Sequence, residues 1–219
     1  MLKVAASTTL LEPAVTVLEG SNKPAAKPAV TAADLAKVAL VPLISSEQIA
    51  ERMKITAKQI KGDYEGKIIT IVAIMKGAIT VTADLMRELG QLNVPCTLEC
   101  ISTSSYGKNG TNRGELVIRG IELIEIEGKD VLLVDDAFDS GATMAAVVER
   151  FQQLKPGSLR SMVAVVKEVA RKTTYYPEYV LFEIPNYFIV GYGLDCSEHF
   201  RQLPDIRYLK DNCTPECLK

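Results

Sequence analysis

VLLVDDAFDSGATM, residues 131–144, decides the fold. Val131–Val134 is a continuous apolar run of the kind found in strands buried on both faces, as in parallel sheets. The run delivers Asp135 and Asp136 to its end. Asp139-Ser140-Gly141-Ala142-Thr143 then opens a helix whose apolar face is Met144, Val147, Val148 and Phe151. Backbone N–H groups at a helix N-terminus bind phosphate, and Ser and Thr hydroxyls add donors. Gly141 permits close backbone approach. Paired acids beside such a cradle would repel a bare phosphate. They fit a ligand whose ribose hydroxyls they accept from, with Mg2+ nearby, so a sugar phosphate suits the stretch better than a simple anion. Spacing alone leaves a second reading open, a helix merely capped by Asp139 or Ser140 beside solvated acids.

The flanking sequence repeats the strand-turn-helix pattern. Ser45 and Gln48 form a capping-box pattern before a helix with Ile49, Met53, Ala57 and Ile60 on one face. Residues 68–74, IITIVAI, read as a second doubly buried strand. A helix over 78–89 follows, ending at Gly90. Residues 95–103 read as a strand, 104–114 as a mobile loop rich in Gly, Asn and Ser, and 115–127 as an antiparallel pair or ribbon. Residues 162–166, 181–184 and 188–193 complete the strands. Strands alternating with helices imply an α/β fold with a largely parallel sheet. Ligands in such sheets bind beyond the carboxyl ends of the strands, which singles out Met75-Lys76-Gly77, Asp135 to Thr143, and Lys167 onward.

Composition removes other classes. The chain has 219 residues with 25 Lys and Arg against 27 Asp and Glu, a net charge of −2 that gives no broad footprint for nucleic acid. No apolar run is long enough to span a bilayer. A single His, His199, leaves little to complete a zinc site with the Cys96/Cys100 or Cys213/Cys217 pairs. Neither a G-x-S-x-G elbow nor a G-x-x-x-x-G-K-[ST] loop occurs. Reduced thiols and a cytoplasmic setting are the expectation. Residues 1–36 read as a partly ordered extension, because Glu12, Pro13 and Glu19 interrupt any signal-peptide core and Arg is lacking. Residues 37–219 form the main domain. Two Asn-x-Thr triplets, at Asn109 and Asn212, are read as chance matches.

VLLVDDAFDSGATM resembles the 5-phosphoribosyl pyrophosphate (PRPP) motif of the type I phosphoribosyltransferases. MKG at 75–77, SSYG at 104–107, IEGKDVLLVDD at 126–136, the lysine closing VAVVK, and FEIPNYFIVGYGLDCSEHFRQLPDI at 182–206 resemble the hypoxanthine-guanine members of that family. The likeness spans about residues 40–210, with the motifs in family order. It implies a mostly parallel twisted sheet flanked by helices, a small hood subdomain and a mobile flap. It also implies transfer of 5-phosphoribose from PRPP to N9 of a 6-oxopurine (hypoxanthine, guanine or xanthine), with Mg2+ as cofactor and a homodimer or homotetramer as assembly. Neither nucleic acid nor membrane is an expected partner.

Roles follow from the resemblance one residue at a time. Asp135 and Asp136 would hold the ribose hydroxyls and Mg2+. Asp139, Ser140, Gly141, Ala142 and Thr143 would cradle the 5-phosphate, with Asp139 facing N7 of the purine as general acid/base. Lys167 would donate to O6, rejecting adenine because its amino group leaves the ammonium without an acceptor. Phe188 would stack on the purine, the Ile189 backbone would read its edge, and Asp195 would hold a second Mg2+ through water. Lys76 and Gly77, with Arg201, would take the pyrophosphate, the loop having unusual peptide geometry. Ser105 and Tyr106 would lie on the flap, excluding water from the reacting centre. Asp135 stands where many relatives have Glu, and Ala137-Phe138 replaces two branched aliphatics, with Phe138 expected to reshape the floor of the purine pocket. A PRPP-sensing nucleic-acid-binding regulator of the same fold is the alternative; near-neutral charge and the intact Lys167, Asp195 and Arg201 set oppose it.

Overall fold

The computed structural model describes residues 30–105 and 116–210. Its centre is a six-stranded sheet in the order β4-β3-β2-β5-β6-β7. The strands are β2 (Ile69–Met75), β3 (Cys96–Ser105), β4 (Leu116–Arg119), β5 (Asp130–Phe138), β6 (Ser158–Lys167) and β7 (Tyr179–Ile184). Every pairing is parallel except that of β4 with β3.

The doubly apolar strands specify this arrangement. Successive side chains of a strand face opposite sides, and β5 shows it: Leu132 and Val134 join one core, Val131 and Leu133 the other. The first core receives Met53, Ala57 and Ile60 of α2 (Ser46–Asp63) and Val81, Leu85 and Leu89 of α3 (Ile79–Gln91). The second receives Met144, Val147, Val148 and Phe151 of α4 (Ala142–Gln152). The result is helix, sheet, helix in three layers. Ser45 and Gln48 close the expected capping box on α2.

A second, smaller sheet sits apart, in the order β1-β9-β8, made of β1 (Leu40–Ile44), β8 (Ile189–Val190) and β9 (Ile206–Leu209), all antiparallel. This is the hood. The short helix α1 (Ala32–Ala36), capped by Thr31 with a reciprocal bond from Asp34, rests Leu35 on its core beside Val190, Phe200 and Leu209. Helix and hood therefore form one unit, and α1 lies inside the stretch read as extension. Residues 1–29 lie outside the described residues, as do 106–115, which hold most of the expected flap loop, and 211–219.

Several boundaries differ from the reading of the sequence. Helix α3 runs through Gly90 to Gln91 rather than stopping at the glycine. Only 116–119 of the predicted 115–127 ribbon is strand; a 3-10 turn at Ile121–Leu123 follows, entered through Gly120 at φ +90°. Residues 188–193 yield a two-residue strand because Gly191, Tyr192 and Gly193 all have positive φ. Strands β1 and β9 carry no local signal: Pro42 interrupts β1, which is tolerated on an edge, and its partner lies far along the chain. Among the described residues no helix is long and apolar enough to cross a membrane.

Phe151 has no exposed surface and fills the core between α4 and the sheet. Phe151→Ala is expected to lower unfolding stability by about 3–5 kcal/mol, read from urea denaturation.

Candidate active site

From β2 the chain crosses through α3 to β3, on one side; from β5 it crosses through α4 to β6, on the other. The order reverses between β2 and β5, and the crevice beyond their carboxyl ends is where open α/β sheets bind ligands. Lys76-Gly77 leaves β2 there. Asp135 and Asp136 sit within the last turns of β5 there.

The two sides of the crevice touch. A Cβ on Gly77 would lie 1.8 Å from Asp136 Oδ2, so only glycine lets the β2 loop approach the carboxylate this closely. Gly193, at φ +99°, is wedged the same way: a Cβ there would lie 2.2 Å from the Gly77 carbonyl oxygen. The peptide bond between Met75 and Lys76 is cis, which agrees with the unusual geometry the resemblance implied.

Asp135 is buried and accepts the Asp136 backbone N–H at 2.9 Å. Burial, then the neighbouring Asp136 charge, holds its carboxyl well above the ordinary range. Burial also raises Asp136, opposed in part by a hydrogen bond to Asp135 and by the Arg201 cation. Two buried adjacent carboxylates fit a hard divalent cation, which takes oxygen ligands and retains waters. Among the described residues no three acidic, His or Cys side chains converge into a ready metal cage.

Beyond the acids, α4 starts at Gly141 with φ +79° and without a side-chain cap bond. The cap position is thus Gly141, one residue beyond the Asp139 or Ser140 that spacing offered. A cavity of about 70 Å³ remains, lined by Asp135 and residues 137–144. The segment after β6 covers this loop: the Lys172 N–H donates to the Ser140 carbonyl at 2.8 Å, and Thr173 abuts Gly141. Phe138 is buried beneath the loop, its ring against Gly141 and edge-on to Tyr176 at 5.9 Å. Its bulk thus shapes the floor of the Asp139–Thr143 loop.

Lys167 ends β6, largely buried, with Nζ 3.7 Å from the exposed Asp139 carboxylate. On the hood side, Arg201 Nη2 pairs with Asp195 Oδ1 at 2.8 Å and Nη1 donates to the Gly193 carbonyl at 2.8 Å. Asp195 also accepts the Glu198 backbone N–H at 2.7 Å. Asp195 is therefore held by Arg201 rather than gathered with Asp135 and Asp136. Phe188 is half-buried against the hood core, and Ile189 is buried with its backbone paired to Tyr208. Ser105 closes β3; Tyr106 lies outside the described residues. Gly193, Lys172, Thr173 and Glu198 were not singled out from the sequence. Only the positive φ of Gly193 had a residue-level signal, its being glycine; the others meet the site through tertiary contacts.

With this geometry in view, comparison with known proteins is specific. Residues 45–197 match the phosphoribosyl transferase domain family. The hypoxanthine-guanine phosphoribosyltransferase of Dictyostelium discoideum is 36% identical over 172 residues, covering 78% of this chain and 96% of its own. That of Aquifex aeolicus is 36% identical over 171 residues, covering 77% and 94%. A solved hypoxanthine phosphoribosyltransferase from Trypanosoma cruzi, in a ternary substrates complex, superimposes with a TM-score of 0.73 at 33% identity over 80% of this chain and 96% of that one. The chain belongs to the phosphoribosyl transferase family, among its hypoxanthine-guanine phosphoribosyltransferases.

Gly77→Ala forces the β2 loop away from Asp136 and is expected to cut turnover about a hundredfold while the far-UV circular dichroism spectrum is kept. Stability carries a second signature. The folded-state pKa of Asp135 lies above its unfolded value, so the native state holds more protons between the two. Stability then falls as pH rises through that window. Asp135→Asn is expected to flatten this fall and to gain stability above it, as urea midpoints across the pH range will show.

Proposed function

We propose that this protein is a purine-salvage transferase that moves 5-phosphoribose from PRPP to N9 of hypoxanthine or guanine, giving IMP or GMP and pyrophosphate. The observation that carries the reading is the pair of buried carboxylates near the end of β5, followed by a short loop into the N-terminus of α4, whose cap position is Gly141. Carboxylates that accept from two ribose hydroxyls and amides that donate to a phosphate are the complementary halves of a ribose 5-phosphate site.

Asp135 and Asp136 take the ribose hydroxyls. Ser140, Gly141, Ala142 and Thr143 surround the 5-phosphate. Lys76, Gly77 and Arg201 face the leaving pyrophosphate, and Ser105 and Tyr106 belong to the flap. Phe188, Ile189 and Asp195 flank the base. Asp135 and Asp136 would hold one Mg2+ and Asp195, through water, a second; the ions would supply positive charge to offset that of the pyrophosphate. As N9 attacks C1 of the ribose, the bond from C1 to pyrophosphate breaks and the base loses a proton. Asp139 accepts or returns that proton at N7, close enough to Lys167 for the ammonium to steady its charge. Lys167 donates to O6, which makes the site selective for 6-oxopurines. We assign the protein to the cytoplasm, in keeping with Cys96, Cys100 and Cys196 not being disulfide-bonded. A homodimer or homotetramer is our reading of the assembly; the Trypanosoma cruzi enzyme has been studied for the role of its C-terminal region in oligomeric state.

The test is turnover of PRPP and Mg2+ with hypoxanthine, guanine, xanthine and adenine separately, followed by ultraviolet absorbance. Hypoxanthine and guanine are expected to react and adenine not to. Asp139→Asn is expected to lower kcat by about a hundredfold or more with PRPP affinity retained. Lys167→Ala is expected to lower kcat/KM for hypoxanthine by a similar factor. Binding of PRPP without turnover of any base would overturn the transferase reading and favour the regulator.

A further inference from the structure

Glu198 is a carboxylate placed where an anion is expected. One of its oxygens, Oε2, lies 3.1 Å from Lys76 Nζ and 3.2 Å from Arg201 Nη2. These two cations come from segments far apart in sequence, the β2 loop and the loop ahead of β9, and Glu198 is the single side chain bridging them among the described residues. Its backbone adopts φ +69°, between Ser197 at +51° and Phe200 at +74°, so the loop holds the residue in a conformation that L-residues seldom adopt.

Charge decides what this does. Lys76 and Arg201 supply two positive charges, and Asp195 and Glu198 supply two negative ones. The cluster is neutral as it stands and has little pull on a polyanion. The two carboxylates are not equivalent. The Asp195 pair with Arg201 is largely sheltered and is fixed further by the Glu198 N–H, whereas the Glu198 and Lys76 side chains are 62% and 67% exposed. Exposed pairs are weak. Glu198 is the partner that gives way.

We propose that Glu198 is a built-in stand-in for the pyrophosphate group: it holds Lys76 and Arg201 together and sets pyrophosphate affinity by competing for them. This rests on the transferase reading of the same site. A competing carboxylate keeps the product from binding too tightly, which matters because pyrophosphate must leave for the next turnover. A residue that only positioned the two cations would act in the opposite direction, since its loss would scatter them and weaken binding.

Pyrophosphate binding to the full chain is measured by calorimetry with Mg2+ for the wild type, Glu198→Gln and Glu198→Asp. Glu198→Gln keeps the size and removes the charge, and is expected to bind pyrophosphate about tenfold more tightly, with stronger product inhibition to match. Glu198→Asp, which keeps the charge, is expected to stay near the wild type. Unchanged or weaker pyrophosphate binding in Glu198→Gln, with a native melting transition, would overturn the proposal. Hypoxanthine turnover by the wild type is run alongside: its absence would tell against the transferase reading itself, independently of how Glu198→Gln behaves.

Discussion

Two carboxylates in sequence at the end of a fully buried strand are the constraint around which this molecule is built. Burying a charge is costly unless it is paired, and here burial drives both acids toward their neutral form, with the neighbouring Asp136 charge adding to the effect at Asp135. Asp135 and Asp136 thus detract from stability in the absence of ligand. The structure tolerates them because the rest of β5 and its neighbours are apolar on both faces and pack against helices in two separate cores.

The remaining site features follow from the need to bring other groups to that pair. Gly77 exists because anything larger would collide with Asp136, and Gly193 because the hood loop must in turn reach Gly77. These contacts tie the end of β2, the end of β5 and the loop before β9 into one crevice. Arg201 fastens that loop through Asp195 and the Gly193 carbonyl. The phosphate loop is supported from beneath by Phe138 and from above by the Lys172–Thr173 segment.

Much of this was legible before the coordinates. The doubly apolar runs at 68–74, 131–134 and 162–166 point to parallel strands, because burial on both faces calls for such a pattern; the first strand forms one residue later, at Ile69–Met75. The acids and small residues at 135–143 named the site through the chemistry they can offer. The hood strands β1 and β9 were not readable, since four or five residues paired across the length of the chain leave no periodicity to detect. Nor was the role of Glu198 visible: in sequence it is one acid in an acidic loop, and only the third dimension brings it between Lys76 and Arg201. The neighbours of Phe138, Gly141 and Tyr176, are likewise set by tertiary packing, because spacing cannot tell which groups a buried ring will meet.

Proton release on substrate binding tests the central claim most directly. Calorimetry of Mg2+ with PRPP, repeated at one pH in buffers of different ionisation enthalpy, counts the protons exchanged. Binding that converts a largely neutral Asp135 to its charged form must release protons in the window between its ordinary and its raised pKa. The account predicts net release in the wild type, reduced in Asp135→Asn. Equal proton exchange by the two proteins across that window would contradict it.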